Sequence, residues 1–166
     1  MVDLEKLKFK RHMSVRDLPK TEKGICRWCE GKCTPPRTRW CSDKCNGEFI
    51  MRFSASAAAS RTIARDKGLC TICGCDAESI KKEVRAWSKG VSWQELSAFL
   101  RWLGSPDLCR TWLEVDHIIP VIEGGGCCGL DNLRTVCFRC HRAETKVLAG
   151  RRAKGRRTQK ELEFPA

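Results

Sequence analysis

The sequence predicts a small α+β protein with a strand–loop–strand–helix core, two four-cysteine zinc sites and an inserted helical hairpin. Three observations predict this fold. Paired cysteines recur along the chain, two helical patterns lie between them, and short apolar strands flank a glycine-rich loop. A chain of 166 residues with so many charged side chains has few residues for a large core. Bound metal is therefore the expected means of stabilising it.

Charge and cysteine usage narrow the partners and the compartment. The formal net charge of +12 favours a polyanionic partner, nucleic acid before an anionic membrane surface. The thirteen cysteines are odd in number, and the charged N-terminus lacks the apolar run of a secretory signal. No apolar run reaches the length of a membrane span. We expect metal-bound thiolates in the cytoplasm, or in the nucleus if the source is eukaryotic, and no membrane partner.

The N-terminal part divides into three predicted segments. Residues 1–24 mix charges with few large apolar groups and predict a basic mobile arm. Residues 25–53 predict a zinc knuckle followed by a helix that starts near Ser42. Two close thiol pairs can form a tetrahedral site, and its four ligands are Cys26, Cys29, Cys41 and Cys45. Residues 54–67 are small and helix-permissive, which predicts a linker that is either helical or semi-rigid.

Residues 68–150 are predicted to form one domain with a helical insert at 77–105. Apolar residues recur at helical spacing from Ala77, and Ser92 with Glu95 has the pattern of a capping box that starts a second helix. We expect both helices to pack their Trp and Leu side chains inward.

The strand–loop–strand–helix core follows this insert. Strands are predicted at 112–115 and 133–136, the second antiparallel to the first, and a helix from 139 to about 149. The basic tail covers residues 151–166.

A second zinc site is predicted from two further cysteine pairs, which are far apart in the sequence. Its expected ligands are Cys70, Cys73, Cys137 and Cys140. Two alternatives are open. His141 can replace one thiol, and Cys75 can compete as a ligand. The remaining thiols are expected to be free, namely Cys33, Cys75, Cys109, Cys127 and Cys128.

The polar residues around the glycine-rich loop suit hydrolysis of a phosphodiester. His117 can take a proton from water because an imidazole is largely neutral at cellular pH. Asp116 precedes it on a strand, so the two side chains point to opposite faces and Asp116 can bind a cation. His141 can share that cation. One carboxylate and few protein ligands favour Mg2+, with Mn2+ or Ni2+ as substitutes.

Asn132 has two open roles in this arrangement. Its amide can bond backbone near His117 and fix the imidazole, or its oxygen can join the metal ligands. Each of these polar residues alone is more typical of a turn or a surface. Their joint occurrence, in order and between cysteine pairs, favours a catalytic site.

In these elements the chain resembles the HNH endonucleases of the ββα-metal class. The matching elements are Asp116-His117, Asn132 and Cys137-Phe138-Arg139-Cys140-His141. It is similar to small bacterial HNH proteins with an added N-terminal four-cysteine knuckle, and to the HNH domain of zinc-finger Ran-binding annealing helicases. The resemblance implies a ββα-metal core in which His117 is the general base and Asn132 orients it. Asp116 and His141 would bind the catalytic cation, two structural Zn2+ would support the fold, and the products would carry a 5′ phosphate and a 3′ hydroxyl.

Basic residues after His141 suggest how DNA is held. Eight Lys or Arg lie between residues 142 and 160, against the single acidic Glu144. The predicted DNA-binding side chains are Arg142, Lys146, Arg151 and Arg152. The expected function is a metal-dependent endonuclease acting on duplex or branched DNA, in an oligomeric state that the sequence leaves open. The alternative is a non-catalytic zinc-stabilised nucleic-acid-binding module, or a subunit of a larger nucleic-acid-processing assembly.

Overall fold

A computed structural model describes residues 1–104 and 107–163, and the side chains of the last helix as far as 156. Ser105 of the predicted insert and residues 164–166 of the predicted tail lie outside the described residues. The chain divides into two compact units. The first unit combines Met1–Lys67 with Val115–Thr135, and the second combines Gly68–Glu114 with the chain from Val136 onward.

The N-terminal segment of the first unit is packed, so the prediction of a mobile arm over residues 1–24 is wrong. Four apolar side chains of this segment are buried in one cluster with Cys127, namely Val2, Leu7, Met13 and Leu18. Backbone bonds attach the segment, because Val2 donates to the Trp28 carbonyl and Met13 to the Arg52 carbonyl. The four apolar residues look too sparse for a core in the sequence because their partners lie further along the chain, at Trp28, Trp40, Phe49 and Cys127.

Two consecutive helices follow the first cysteine group. Helix α1 spans Asp43–Phe53, and Ser42 caps it by accepting the Cys45 backbone N–H. Helix α2 spans Ala55–Arg65 and has Ser54 as its N-cap, so the segment predicted as a linker is helical. Met51 of α1 and Ala58 of α2 are buried with Leu133 in a second cluster of this unit.

The second unit contains the predicted helical insert. Helix α3 spans Ala77–Trp87 and α4 spans Trp93–Leu103, and the predicted capping box of Ser92 and Glu95 starts α4. Their core includes fully buried Trp112 and Val136. The expectation that the tryptophans pack inward holds only in part. Trp93 at the first position of α4 is 72% exposed, because the apolar face of this helix packs against the core only from Leu96 onward.

The strand pair and the last helix occur in the predicted order. Strand β1 spans Leu113–His117 and is hydrogen-bonded to β2, which spans Leu133–Cys137. Helix α5 starts at once and spans Phe138–Glu163, well beyond the predicted end near 149. Among the helices of residues 1–104 and 107–163, none is both long and apolar enough to cross a membrane.

Candidate active site and metal centres

Asp116 and His117 end β1 in the first unit. One carboxylate oxygen of Asp116 accepts the His117 backbone N–H at 2.9 Å. The other lies 3.3 Å from a guanidinium nitrogen of Arg134, whose side chain is mostly buried. A carboxylate oxygen has two lone pairs, so both oxygens of Asp116 can accept a further partner such as a cation.

The His117 ring is partly buried and is biased towards its neutral form. Burial lowers the pKa of His117 below its ordinary value of 6.5, and the neighbouring Asp116 carboxylate opposes this shift. The positive charges of Arg11 and His12 lower this pKa further. A neutral imidazole can accept a proton, which is what a general base near neutral pH must do.

Asn132 braces the chain that follows His117. Its side-chain oxygen accepts the Ile119 backbone N–H at 2.8 Å. Its amide nitrogen donates to the carbonyls of Ile119 at 3.1 Å and Gly125 at 2.8 Å. Its own backbone carbonyl accepts the Ile118 N–H at 2.9 Å. Of the two roles left open by the sequence, this geometry matches the bracing of backbone beside His117.

The end of α2 holds the segment that carries Asn132. Arg65 donates to the carbonyls of Leu130 and, at 2.7 Å, Leu133, on either side of Asn132. Asp66 accepts the Thr135 backbone N–H at 2.8 Å and pairs with Arg65. The Arg65 guanidinium, with the Thr135 N–H, holds the pKa of Asp66 below its usual value although burial opposes this. Neither residue was predictable as part of the site, because both precede the predicted domain at 68–150.

His141 lies in the first turn of α5, in the second unit. Its Nδ1 contacts the Glu114 carboxylate. This contact leaves Nε2 as the ring nitrogen that can bind a metal, as in carboxylate–histidine–metal arrangements. Sequence reasoning missed Glu114. The signal that could have found it is a second carboxylate two residues before Asp116.

The first cysteine group matches a tetrahedral metal site. The sulfur atoms of Cys26, Cys29, Cys41 and Cys45 all lie within 4.8 Å of one another. Cys41 lies 3.5 Å from both Cys29 and Cys45, close to the separation of about 3.8 Å expected for four thiolates around zinc. Burial opposes ionisation of Cys26, but backbone N–H groups of Cys29 and Cys41 outweigh it and lower its pKa to about 6. The group can therefore hold a divalent metal.

The second cysteine group is equivalent and lies in the second unit. Its four sulfur atoms also lie within 4.8 Å of one another, and His141 is not part of the group. The four residues are Cys70, Cys73, Cys137 and Cys140. Cys73 and Cys137 are 3.9 Å apart. Burial again opposes ionisation of Cys70, yet backbone N–H groups of Cys73 and Cys137 lower its pKa to about 6.

Cys75 lies beside this second group. Burial first, and then the thiols of Cys73 and Cys137, raise its pKa to about 12. Cys75 is not one of the four residues of this group whose sulfur atoms all lie within 4.8 Å of one another.

The predicted DNA-binding side chains lie on α5. Arg142 donates to the Gly104 carbonyl, so part of its guanidinium is used inside the second unit. The side chains of Lys146, Arg151 and Arg152 are exposed.

Comparison with known proteins identifies the class. Residues 104–146 match the family model described as HNH endonuclease. This stretch contains Asp116, His117, Asn132 and His141 in the order of the predicted motif. The resemblance to the HNH endonucleases seen in the sequence is therefore confirmed for residues 104–146.

The particular relatives are DNA annealing helicases. The chain is 33% identical over 165 residues to the "DNA annealing helicase and endonuclease ZRANB3" of Mus musculus, covering 86% of this chain and 15% of that protein. The Homo sapiens protein is 32% identical over 133 residues, covering 72% and 12%. The chain thus spans only a small part of these relatives. The crystal structure of the human ZRANB3 HNH domain is 29% identical with a TM-score of 0.41, covering 59% of this chain and 92% of that domain. The family match supports a nuclease-type or nucleic-acid-processing role.

Proposed function

We propose that this chain is a metal-dependent endonuclease that hydrolyses DNA phosphodiester bonds and leaves a 5′ phosphate and a 3′ hydroxyl. The observation that carries the proposal is the environment of His117. Its ring is biased towards neutrality, it follows a carboxylate suited to metal, and Asn132 braces the backbone after it.

His117 acts as the general base in this proposal. A ring nitrogen takes a proton from the attacking water, and the carboxylate of Asp116 stabilises the imidazolium that results. Asn132 acts as a positioning residue. Its three side-chain bonds fix the Ile119–Gly125 loop and hence the direction in which the ring points. Such positioning matters because small misplacements of a base reduce the rate strongly.

Asp116 and His141 are the proposed ligands of the catalytic cation. Their pairing rests on the order of the motif in the sequence. Both fit a metal chemically, since Asp116 retains lone pairs and His141 retains Nε2. A bound Mg2+, or Mn2+ or Ni2+ in its place, would neutralise charge on the phosphate and on the departing oxygen. The two cysteine groups are proposed to hold structural Zn2+, which suits four thiolates better than hard cations do.

DNA is the proposed substrate, held in part by the exposed basic side chains of α5. Those of Lys146, Arg151 and Arg152 supply affinity for phosphates without reading sequence. The relatives are named DNA annealing helicase and endonuclease, which supports DNA as the substrate class here. The cysteine usage supports a reducing compartment, the cytoplasm or the nucleus.

The test is nicking of supercoiled plasmid and of branched DNA by wild type and His117→Ala. Each is assayed with Mg2+ or Mn2+ and after chelation. We expect cutting that needs the cation and is lost in His117→Ala, while both proteins bind DNA equally. Equal cutting by the two proteins would overturn the assignment of the base. DNA binding without any cutting by wild type would favour the non-catalytic alternative.

A further inference from the structure

Residues 8–12 form a short basic segment with an aromatic residue, Lys-Phe-Lys-Arg-His. We call it the basic N-terminal segment. Arg11 and His12 are exposed, and Phe9 is 62% exposed. Four of its five side chains can carry positive charge, a composition typical of nucleic-acid contact. Lys8 pairs with Glu5 and Lys10 with Asp17, and burial lowers the pKa of His12, so Arg11 carries the permanent charge that remains for a partner.

The basic N-terminal segment is fixed at both ends. Leu7 before it and Met13 after it are 5% and 3% exposed and pack in the cluster that includes Cys127. Met13 also donates its backbone N–H to the Arg52 carbonyl at 2.9 Å. The exposed residues between these anchors are therefore held in place by the fold of the first unit.

The basic N-terminal segment lies directly against the glycine-rich loop that follows His117. The Gly126 N–H donates to the Lys8 carbonyl at 2.6 Å. A Cβ on Gly126 would lie 2.2 Å from the Lys10 carbonyl oxygen, so only glycine allows this approach. Asn132 ties the same loop to the chain beside His117, through Gly125.

Arg11 and His12 follow directly on the backbone that contacts Gly126, and both side chains are exposed. A cation beside a general base stabilises a phosphate brought to that base, because it neutralises charge on the phosphate oxygens.

We propose that the basic N-terminal segment is a DNA-binding element of the active site, in which Arg11 and His12 bind a phosphate of the strand to be cut. This inference rests on the proposed function, which supplies the substrate, and adds the residues that bind that substrate. It differs from the α5 surface, which lies in the other unit. Arg11 provides the permanent charge and planar hydrogen-bond donors, and His12 provides an additional donor.

The binding experiment is done in the His117→Ala background, so that no DNA is cut. A fluorescein-labelled duplex is titrated with the parent, with Arg11→Ala/His12→Ala, and with Arg16→Ala as the matched control. Arg16 is an exposed arginine of the same N-terminal region. We expect the double variant to bind about fivefold to twentyfold more weakly, and the slope of log K against log salt to fall by about one. Arg16→Ala should bind within about twofold of the parent, and Arg11→Lys/His12→Ala should recover much of the loss because charge is restored.

The cleavage experiment uses the same substitutions with His117 intact. We expect kcat/KM to fall about tenfold or more in the double variant and to stay near wild type in Arg16→Ala. The melting temperature and zinc content of the double variant should match those of wild type. The single variant Arg11→Gln provides a second test, and we expect it to lose less affinity than the double variant. A double variant that binds and cuts like Arg16→Ala would overturn the inference while leaving the nuclease proposal intact. Weaker binding by the double variant, in a protein that never cuts, would support the inference and refute the nuclease proposal.

Discussion

Replacing Asn132 with alanine tests the link between the loop brace and the proposed chemistry. The substitution removes three side-chain hydrogen bonds to backbone, two at Ile119 and one at Gly125. Each such bond contributes about 1 kcal/mol net in a folded protein, and the amide is only partly buried, so we expect a loss of about 2 kcal/mol. For a protein of this size, that loss lowers the melting temperature by about 4–8 °C.

The kinetic effect follows from the looser loop. Freed from Ile119, the chain after His117 no longer fixes the ring, and we expect cutting to slow about tenfold to a hundredfold. Asn132→Asp should be as damaging as alanine. It keeps an acceptor for the Ile119 N–H but places a carboxylate against two carbonyl oxygens.

The assay combines thermal melting, amide hydrogen exchange of residues 118–126 and plasmid nicking. The matched control is Asn46→Ala, which removes the same amide from α1 and should change none of the three readouts much. If Asn132→Ala has the melting temperature of wild type and the same amide exchange rate at Ile119, the bracing role of Asn132 is refuted. Faster exchange with undiminished cutting would show that the brace does not serve catalysis.

Three further predictions follow from the cysteine groups, Asp66 and Glu114. Cys45→Ser should reduce bound zinc from two ions per chain to one by metal analysis, whereas Cys109→Ser should leave both; equal zinc content would contradict the assignment of the first site. Asp66→Asn should lower the free energy of unfolding by about 2 kcal/mol at neutral pH. Because the folded pKa of Asp66 is depressed, the difference in unfolding free energy between wild type and Asp66→Asn should shrink as the pH falls below about 4. A difference that does not change with pH in denaturant titrations would contradict this stabilising role of the Asp66 carboxylate. Glu114→Gln should weaken Mn2+ binding about tenfold to a hundredfold in calorimetry with zinc content unchanged, and an unaltered Kd would exclude a role for Glu114 in orienting His141.

Local chemistry made several elements predictable from the sequence. Helix α4 begins where Ser92 and Glu95 predicted a capping box, since capping depends on residues only a turn apart. The cysteine groups were predictable because tetrahedral thiolate sites use characteristic short spacings. Strand β1 lies near the predicted range of 112–115, but it extends to His117 and so includes both Asp116 and His117.

Long-range packing explains what the sequence did not predict. The burial of Leu7 and Met13 depends on Cys127, whose neighbourhood looked like a flexible glycine turn. Gly126 is needed there because the Lys10 carbonyl leaves no room for a side chain. Helix α5 continues past the predicted end near 149 because the turns after Gly150 are rich in residues that favour helix.

The packing of residues 1–18 on Cys127 has a practical consequence for anyone who shortens the protein. A version that begins at Ile25, just before the first cysteine pair, would retain every proposed metal ligand and the general base. It would nevertheless expose Cys127, which is 3% exposed in the whole chain. It would also remove the Lys8 carbonyl that accepts the Gly126 N–H of the glycine-rich loop. Such a shortened protein should be prone to thiol oxidation and aggregation, for reasons unrelated to its catalytic groups.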